Sequence, residues 1–289
     1  MLPSLKSIPL ALILWSASLG APGRADELAD QGRAIFKKNQ HAVVIVQLVL
    51  KISVPGMGGR STEAQQDATG TVIDPSGLTV LSLSSTDPSR VLESMMPGMA
   101  EEESRFKMET ELSDVKILLP DGTEAPAEVV LRDKDLDLAF IRPKTKPAAP
   151  MAALDLTQPG KAEVLDQVIA LNRLGSAAGR AYAASVERIS AIVPKPRLFY
   201  IPETSATTTT LGAPAFTLDG KPLGLFVTRS LKAKSGSSIF GGMFGLQANN
   251  LTGIILPAED ILKAAKQVPA AGAAEEKKSA GAAEDKKAK

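Results

Sequence analysis

Between Val43 and Leu256 the chain repeats one unit, a short apolar run closed by glycine, proline or aspartate, and this rhythm restricts it to an all-β architecture. The first run, Val43-Val44-Ile45-Val46-Gln47-Leu48-Val49-Leu50-Lys51-Ile52, is rich in β-branched residues and predicts a strand buried on much of both faces. Pro55 to Asp67 is Gly-rich and polar and reads as a loop. Thr69–Ile73, the turn Asp74-Pro75-Ser76-Gly77 and Leu78–Leu81 then read as strand, type I turn, strand. Val115–Leu119, Pro120-Asp121-Gly122 and Ala125–Leu131 form a second hairpin, and Leu138–Ile141 another strand. After the Pro-rich stretch Lys144–Pro150 the grammar resumes in Gln167–Leu171, Gly179–Val193, Leu198–Ile201, Pro222–Thr228 and Leu251–Leu256. Two such halves joined by a linker argue for two antiparallel barrels.

Helices are expected only at the flanks. Leu28, Ile35 and Phe36 fall on one face of a 3.6-residue period across Asp26–Asn39, with Gly32 as the costly residue on that face, about 1 kcal/mol worse than alanine. Pro257-Ala258-Glu259-Asp260 opens a closing helix to about Gln267, with proline and acids in the first turn as the helix dipole prefers. Residues 87–113 interrupt the β-rhythm with Met95, Met96, Met99 and Met108 beside Glu101-Glu102-Glu103; they read as a surface insertion or as an adaptable contact surface for a partner. From Pro269 an Ala/Glu/Lys sequence nearly repeats itself without an apolar face, the composition of a disordered tail.

The beginning of the chain carries an export pattern. Lys6 supplies the positive region, Ile8–Leu19 the apolar region, and Gly23-Arg24-Ala25 the small residues that place cleavage after Ala25, giving a secreted or periplasmic protein. The alternative is an uncleaved anchor, but the apolar run is shorter than the roughly 18–20 residues that span a bilayer, so no membrane span is expected after cleavage. Removing Lys6 and Arg24 turns the formal net charge from +1 to −1, and no concentrated basic patch is present, so no nucleic-acid partner is expected. Cysteine is absent and His41 is the single histidine, which rules out a thiol nucleophile, a Cys-ligated zinc and a His-rich metal site. No cofactor and no metal are expected. Asp133, Asp135 and Asp137 alternate as calcium ligands do, but neither the glycine at the sixth position nor the glutamate at the twelfth follows.

Four segments in order resemble the trypsin-like serine protease family in its HtrA/Deg form. Thr69–Val80 is similar to the stretch before the catalytic histidine. Asp114–Ile141, with Arg132-Asp133-Lys134-Asp135-Leu136-Asp137-Leu138-Ala139, is similar to the block that carries the aspartate. Asp166–Ile192 is similar to the first hairpins of the second barrel. Thr207–Val227, with Gly212-Ala213-Pro214 and Asp219-Gly220-Lys221-Pro222-Leu223-Gly224, resembles the nucleophile block and its following hairpin. The resemblance covers residues 41–262 and implies two antiparallel six-stranded β-barrels. Together with the export pattern, the flanking helices and the tail, it divides the chain into a signal peptide (1–25), an N-terminal helix (26–40), a first barrel (41–145, with the insertion 87–113), a linker (146–158), a second barrel with closing helix (159–268) and the tail (269–289). No PDZ domain is expected after the second barrel.

Carried over residue by residue, the resemblance puts the base on Ser84, the acid on Asp137 and the nucleophile on Leu211, with oxyanion donors at the backbone of Thr209 and Leu211. The triad mechanism needs a serine oxygen deprotonated by an imidazole that a carboxylate orients. Leucine cannot attack a carbonyl, and a serine hydroxyl is no general base near neutral pH. Asp137 is then expected to hydrogen-bond backbone at a turn, and Leu211 either fills the cleft or joins the core. Catalysis displaced to Thr207–Thr210 with Lys195 or Lys221 lacks any spacing that links these residues, and His41 lies far upstream of the base position. The reading is an exported pseudoprotease that binds a peptide or protein partner. The alternatives are an active serine endopeptidase with a displaced site and a structural scaffold of an envelope assembly.

Overall fold

The computed structural model describes residues 24–53, 61–87, 109–204, 210–230 and 251–270. The Met-rich positions 95–108, Thr207–Thr209, most of the Ala/Glu/Lys tail and residues 1–23, which hold nearly all of the expected signal peptide, therefore lie outside the described residues.

Twelve strands close into two six-stranded antiparallel barrels. The first holds β1 (Val43–Ser53), β2 (Ser61–Val72), β3 (Thr79–Ser82), β4 (Glu109–Leu118), β5 (Glu124–Asp133) and β6 (Leu138–Pro143), in the order β1-β2-β3-β6-β5-β4. The second holds β7 (Gln167–Arg173), β8 (Tyr182–Val193), β9 (Phe199–Pro202), β10 (Pro214–Thr217), β11 (Pro222–Ser230) and β12 (Leu251–Pro257), in the order β10-β11-β12-β9-β8-β7. Helix α1 (Arg24–Asn39) precedes the first barrel and α2 (Ala258–Ala265) follows the second.

Two expected loops are strand. Residues 61–67 pair with β1 one for one as far as Ser53↔Ser61, and residues 109–112 pair with β1 as far as Ser53↔Glu109, with Ser113 passed over where the register shifts. The apolar β1 is the template: once buried, its backbone N–H and C=O groups need partners, and both polar neighbours supply them. The interruption between the barrel's third and fourth strands is therefore shorter than 87–113. Strand β10 begins at Pro214, the last residue of the block Gly212-Ala213-Pro214, and runs to Thr217.

Three apolar clusters explain the burial pattern. One fills the first barrel with Val44, Val46, Leu48 and Leu50 of β1 against Leu81, Ile117 and Ile141. Another fills the second with Val168, Ile189, Tyr200, Leu223, Phe226 and Ile255. The third lies between them, gathering Val43, Val80, Leu138 and Phe140 with Ile169, Leu171, Phe216, Leu225 and Val227, and with Ile35 of α1 and Ile261 of α2. Strands that contribute to both a barrel interior and this shared cluster lose the polar face of an ordinary half-exposed strand. The helix residue Gly32 faces this junction, where an added Cβ would meet Ile169 Cδ1 at 3.4 Å. Among the described residues no helix is long and apolar enough to cross a membrane.

Candidate functional site

The end of β3, the turn before β6 and the end of β11 converge on one carboxylate. Asp137 is buried, at 4 % exposure, and adopts φ 57°, a left-handed conformation that aspartate tolerates better than most residues. Its Oδ1 accepts from Ser84 N (2.9 Å) and Ser84 Oγ (2.7 Å). Its Oδ2 accepts from Ser82 Oγ (2.5 Å), Thr228 N (2.9 Å) and Thr228 Oγ1 (2.9 Å). The Asp137 carbonyl also takes Leu83 N at 2.8 Å. Buried carboxylates need such donors, because desolvating one without partners costs several kcal/mol.

Ser84 stands in the 3₁₀ turn Leu83–Ser85 and is itself buried, at 6 % exposure. Its Oγ lies 2.7 Å from Thr228 Oγ1 as well as 2.7 Å from Asp137. Two hydroxyls carry two protons, and Ser84, Thr228 and Asp137 make three contacts among their oxygens. Every hydroxyl proton here is therefore already committed within the cluster. The chemistry this arrangement performs is to tie Ser82 and Ser84 of the first barrel to Thr228 of the second through a single acid.

Leu211 lies in the turn before β10 and is 7 % exposed. Among the described residues it stands outside the three apolar clusters, although buried. The next residue fixes this turn against the other barrel: Gly212 has φ 86°, and a Cβ there would lie 2.1 Å from the Thr69 carbonyl oxygen. Only glycine meets both demands. Gly212 N donates to Phe226 O (2.7 Å), and its carbonyl accepts from Thr71 Oγ1 (2.8 Å). Thr209 lies outside the described residues.

The remaining candidates are apart from this cluster. His41 is exposed in the turn Gln40–Ala42, its ring set edge-on to Tyr182 at 5.4 Å. Lys221 pairs with Asp219 at 2.7 Å in the turn between β10 and β11, and Lys195 is exposed between β8 and β9. Asp133 Oδ1 accepts from the N–H groups of Asp135 and Leu136, both at 3.0 Å, a local turn bond. Ser82 and Thr228 were not singled out from sequence. Each is a hydroxyl residue at the end of an apolar run, and nothing in the run announces that it faces an acid.

Two closed six-stranded antiparallel barrels, joined at a buried aspartate, define the chymotrypsin class of fold. The family model of the trypsin-like peptidase domain matches residues 68–225, more than half of the chain, and the chain belongs to that family. No curated protein matches it.

Proposed function

We propose that this protein is an exported, non-catalytic member of the trypsin-like peptidase family that binds a peptide or protein partner. The observation that carries the reading is the occupation of Asp137. Its oxygens take Ser82, Ser84 and Thr228, and the place where an imidazole would stand against it holds the Ser84 hydroxyl. Leu211, at the nucleophile position of the resemblance, offers no oxygen and is buried. Export rests on Lys6, Ile8–Leu19 and Gly23-Arg24-Ala25.

Binding without cleavage draws support from β11. Val227–Ser230 pair with β12 on one side; on the other, β10 and the turn before it bond as far as Phe226, and Asp137 takes Thr228 N. Among the described residues no strand covers that second edge beyond Thr228, and an exposed strand edge accepts an extended peptide through backbone hydrogen bonds. Purified protein cleaved after Ala25 is expected to release no fragments from fluorescein-labelled casein above a heat-denatured control. Sustained release that a serine-protease inhibitor stops would overturn the proposal.

A further inference from the structure

We propose that a cleft on the rim of the first barrel, one turn from Asp137, is a subsite for a glutamate side chain of the bound peptide; the proposal rests on the peptide-binding reading and names its partner's chemistry. The cleft has a volume of about 160 Å³ and is lined by Leu83, Thr86, Asp87, Thr110, Leu112, Arg132 and Lys134. Small-molecule sites run to roughly 300–1,000 Å³, so this one suits a single side chain.

Its chemistry is divided. Leu83 and Leu112 give an apolar wall that suits methylene groups. Arg132 and Lys134, both exposed, also line it, and among the described residues neither forms an ion pair. Asp133, the acid between them in sequence, already spends Oδ1 on the backbone of Asp135 and Leu136. Asp87, the one acid in the lining, is itself engaged. Glu111 belongs to the opposite face of β4, because side chains alternate along a strand.

A second observation points the same way. Thr110 Oγ1 is shielded from solvent and has no hydrogen-bond partner among the described residues. The other hydroxyl of the cleft, Thr86 Oγ1, is already donated to Leu83 O at 2.8 Å. A buried hydroxyl without a partner is costly, and a carboxylate oxygen satisfies this one where the groups that shield it give way on binding. Two cations and one hydroxyl without partners among the described residues, together with an apolar wall, match a carboxylate on a short aliphatic stem. The turn that carries Leu83 also carries Ser84, so a residue seated here lies beside the Asp137 cluster.

The test is a titration of isotope-labelled mature protein with the peptide acetyl-Ala-Leu-Glu-Leu-Ala-amide, followed by amide chemical shifts. Saturable shifts are expected at Leu83, Thr110 and Leu112. The same peptide with glutamine for glutamate should bind about tenfold more weakly, the effect of one charge-assisted hydrogen bond. Arg132→Ala with Lys134→Ala should abolish the preference, and Thr110→Val, which keeps the shape, should weaken binding severalfold. Equal binding of the two peptides overturns the subsite, as does equal displacement by inorganic phosphate at the peptide's own concentration. Shifts confined to Val227–Ser230 would overturn the subsite and leave the peptide-binding reading standing, whereas no shift anywhere would remove both.

Discussion

The Asp137 carboxylate faces five donor groups of Ser82, Ser84 and Thr228, three from side chains and two from the backbone of Ser84 and Thr228. Such an all-acceptor position punishes an amide. Asp137→Asn keeps the shape but turns an NH₂ group toward donors, leaving buried groups unpaired at about 1–3 kcal/mol each. The expected loss is roughly 3 kcal/mol or more of unfolding free energy, read by urea denaturation, against about 1 kcal/mol for Ser82→Ala. Equal small losses for both variants would mean that the acid is not the tie between barrels. Asp137 was legible in sequence because its segment has a recognisable form. Its partners were not, since Ser82 and Thr228 lie 55 and 91 residues away and only the closed fold brings them to it.

Strands were legible where they carry their own apolar pattern and obscure where they borrow order from a neighbour. Val43–Ile52 reads as a strand on its face, and so do Gln167–Leu171 and Leu251–Leu256. Ser61–Asp67 holds only Ala64 as an apolar residue, and its strand conformation comes from pairing with β1. Tertiary context sets strand content more than local preference does. Helix α1 shows the complementary case. Gly32 weakens it on propensity, and the junction does not require glycine there, because a Cβ would make an ordinary contact with Ile169 Cδ1 at 3.4 Å. Gly32→Ala is expected to raise stability by about 0.5–1 kcal/mol. A decrease in the thermal midpoint would show that α1 sits closer to β7 than this contact allows.

Across the whole molecule, the barrels are joined by the shared apolar cluster and by polar ties on separate faces. Besides Asp137–Thr228 and Thr71–Gly212, Arg180 of the second barrel reaches Asp67 at 3.5 Å. With its amide oriented to suit both neighbours, Gln47 accepts from Arg180 at 3.0 Å and donates to Glu124 at 3.1 Å. Arg173 adds a bond to Leu118 O at 3.3 Å. A chain with no disulfide depends on these contacts throughout.

Its turns add a pH dependence. The Ser76, Thr123 and Thr157 hydroxyls hold Asp74, Asp121 and Asp155 below the ordinary carboxylate value of 3.8, and Lys221, then Thr217, does so for Asp219. A carboxyl whose value is depressed by folding stabilises the fold above its unfolded value, and that stabilisation is lost as pH falls through the folded one. The melting temperature is therefore expected to stay level from about pH 8 to about pH 5 and to fall below about pH 4, modestly because these turns face solvent. A midpoint that rises on acidification would contradict the assignment.

The proposed function requires that no side chain of this family member acts as an activated nucleophile. Intact-mass spectrometry after incubation with a fluorophosphonate probe tests it most directly, since the probe reports any activated serine or threonine, wherever it lies. The protein is predicted to keep its unmodified mass while an active trypsin-like control is fully labelled. One stoichiometric adduct, abolished by prior heat denaturation, would contradict the account.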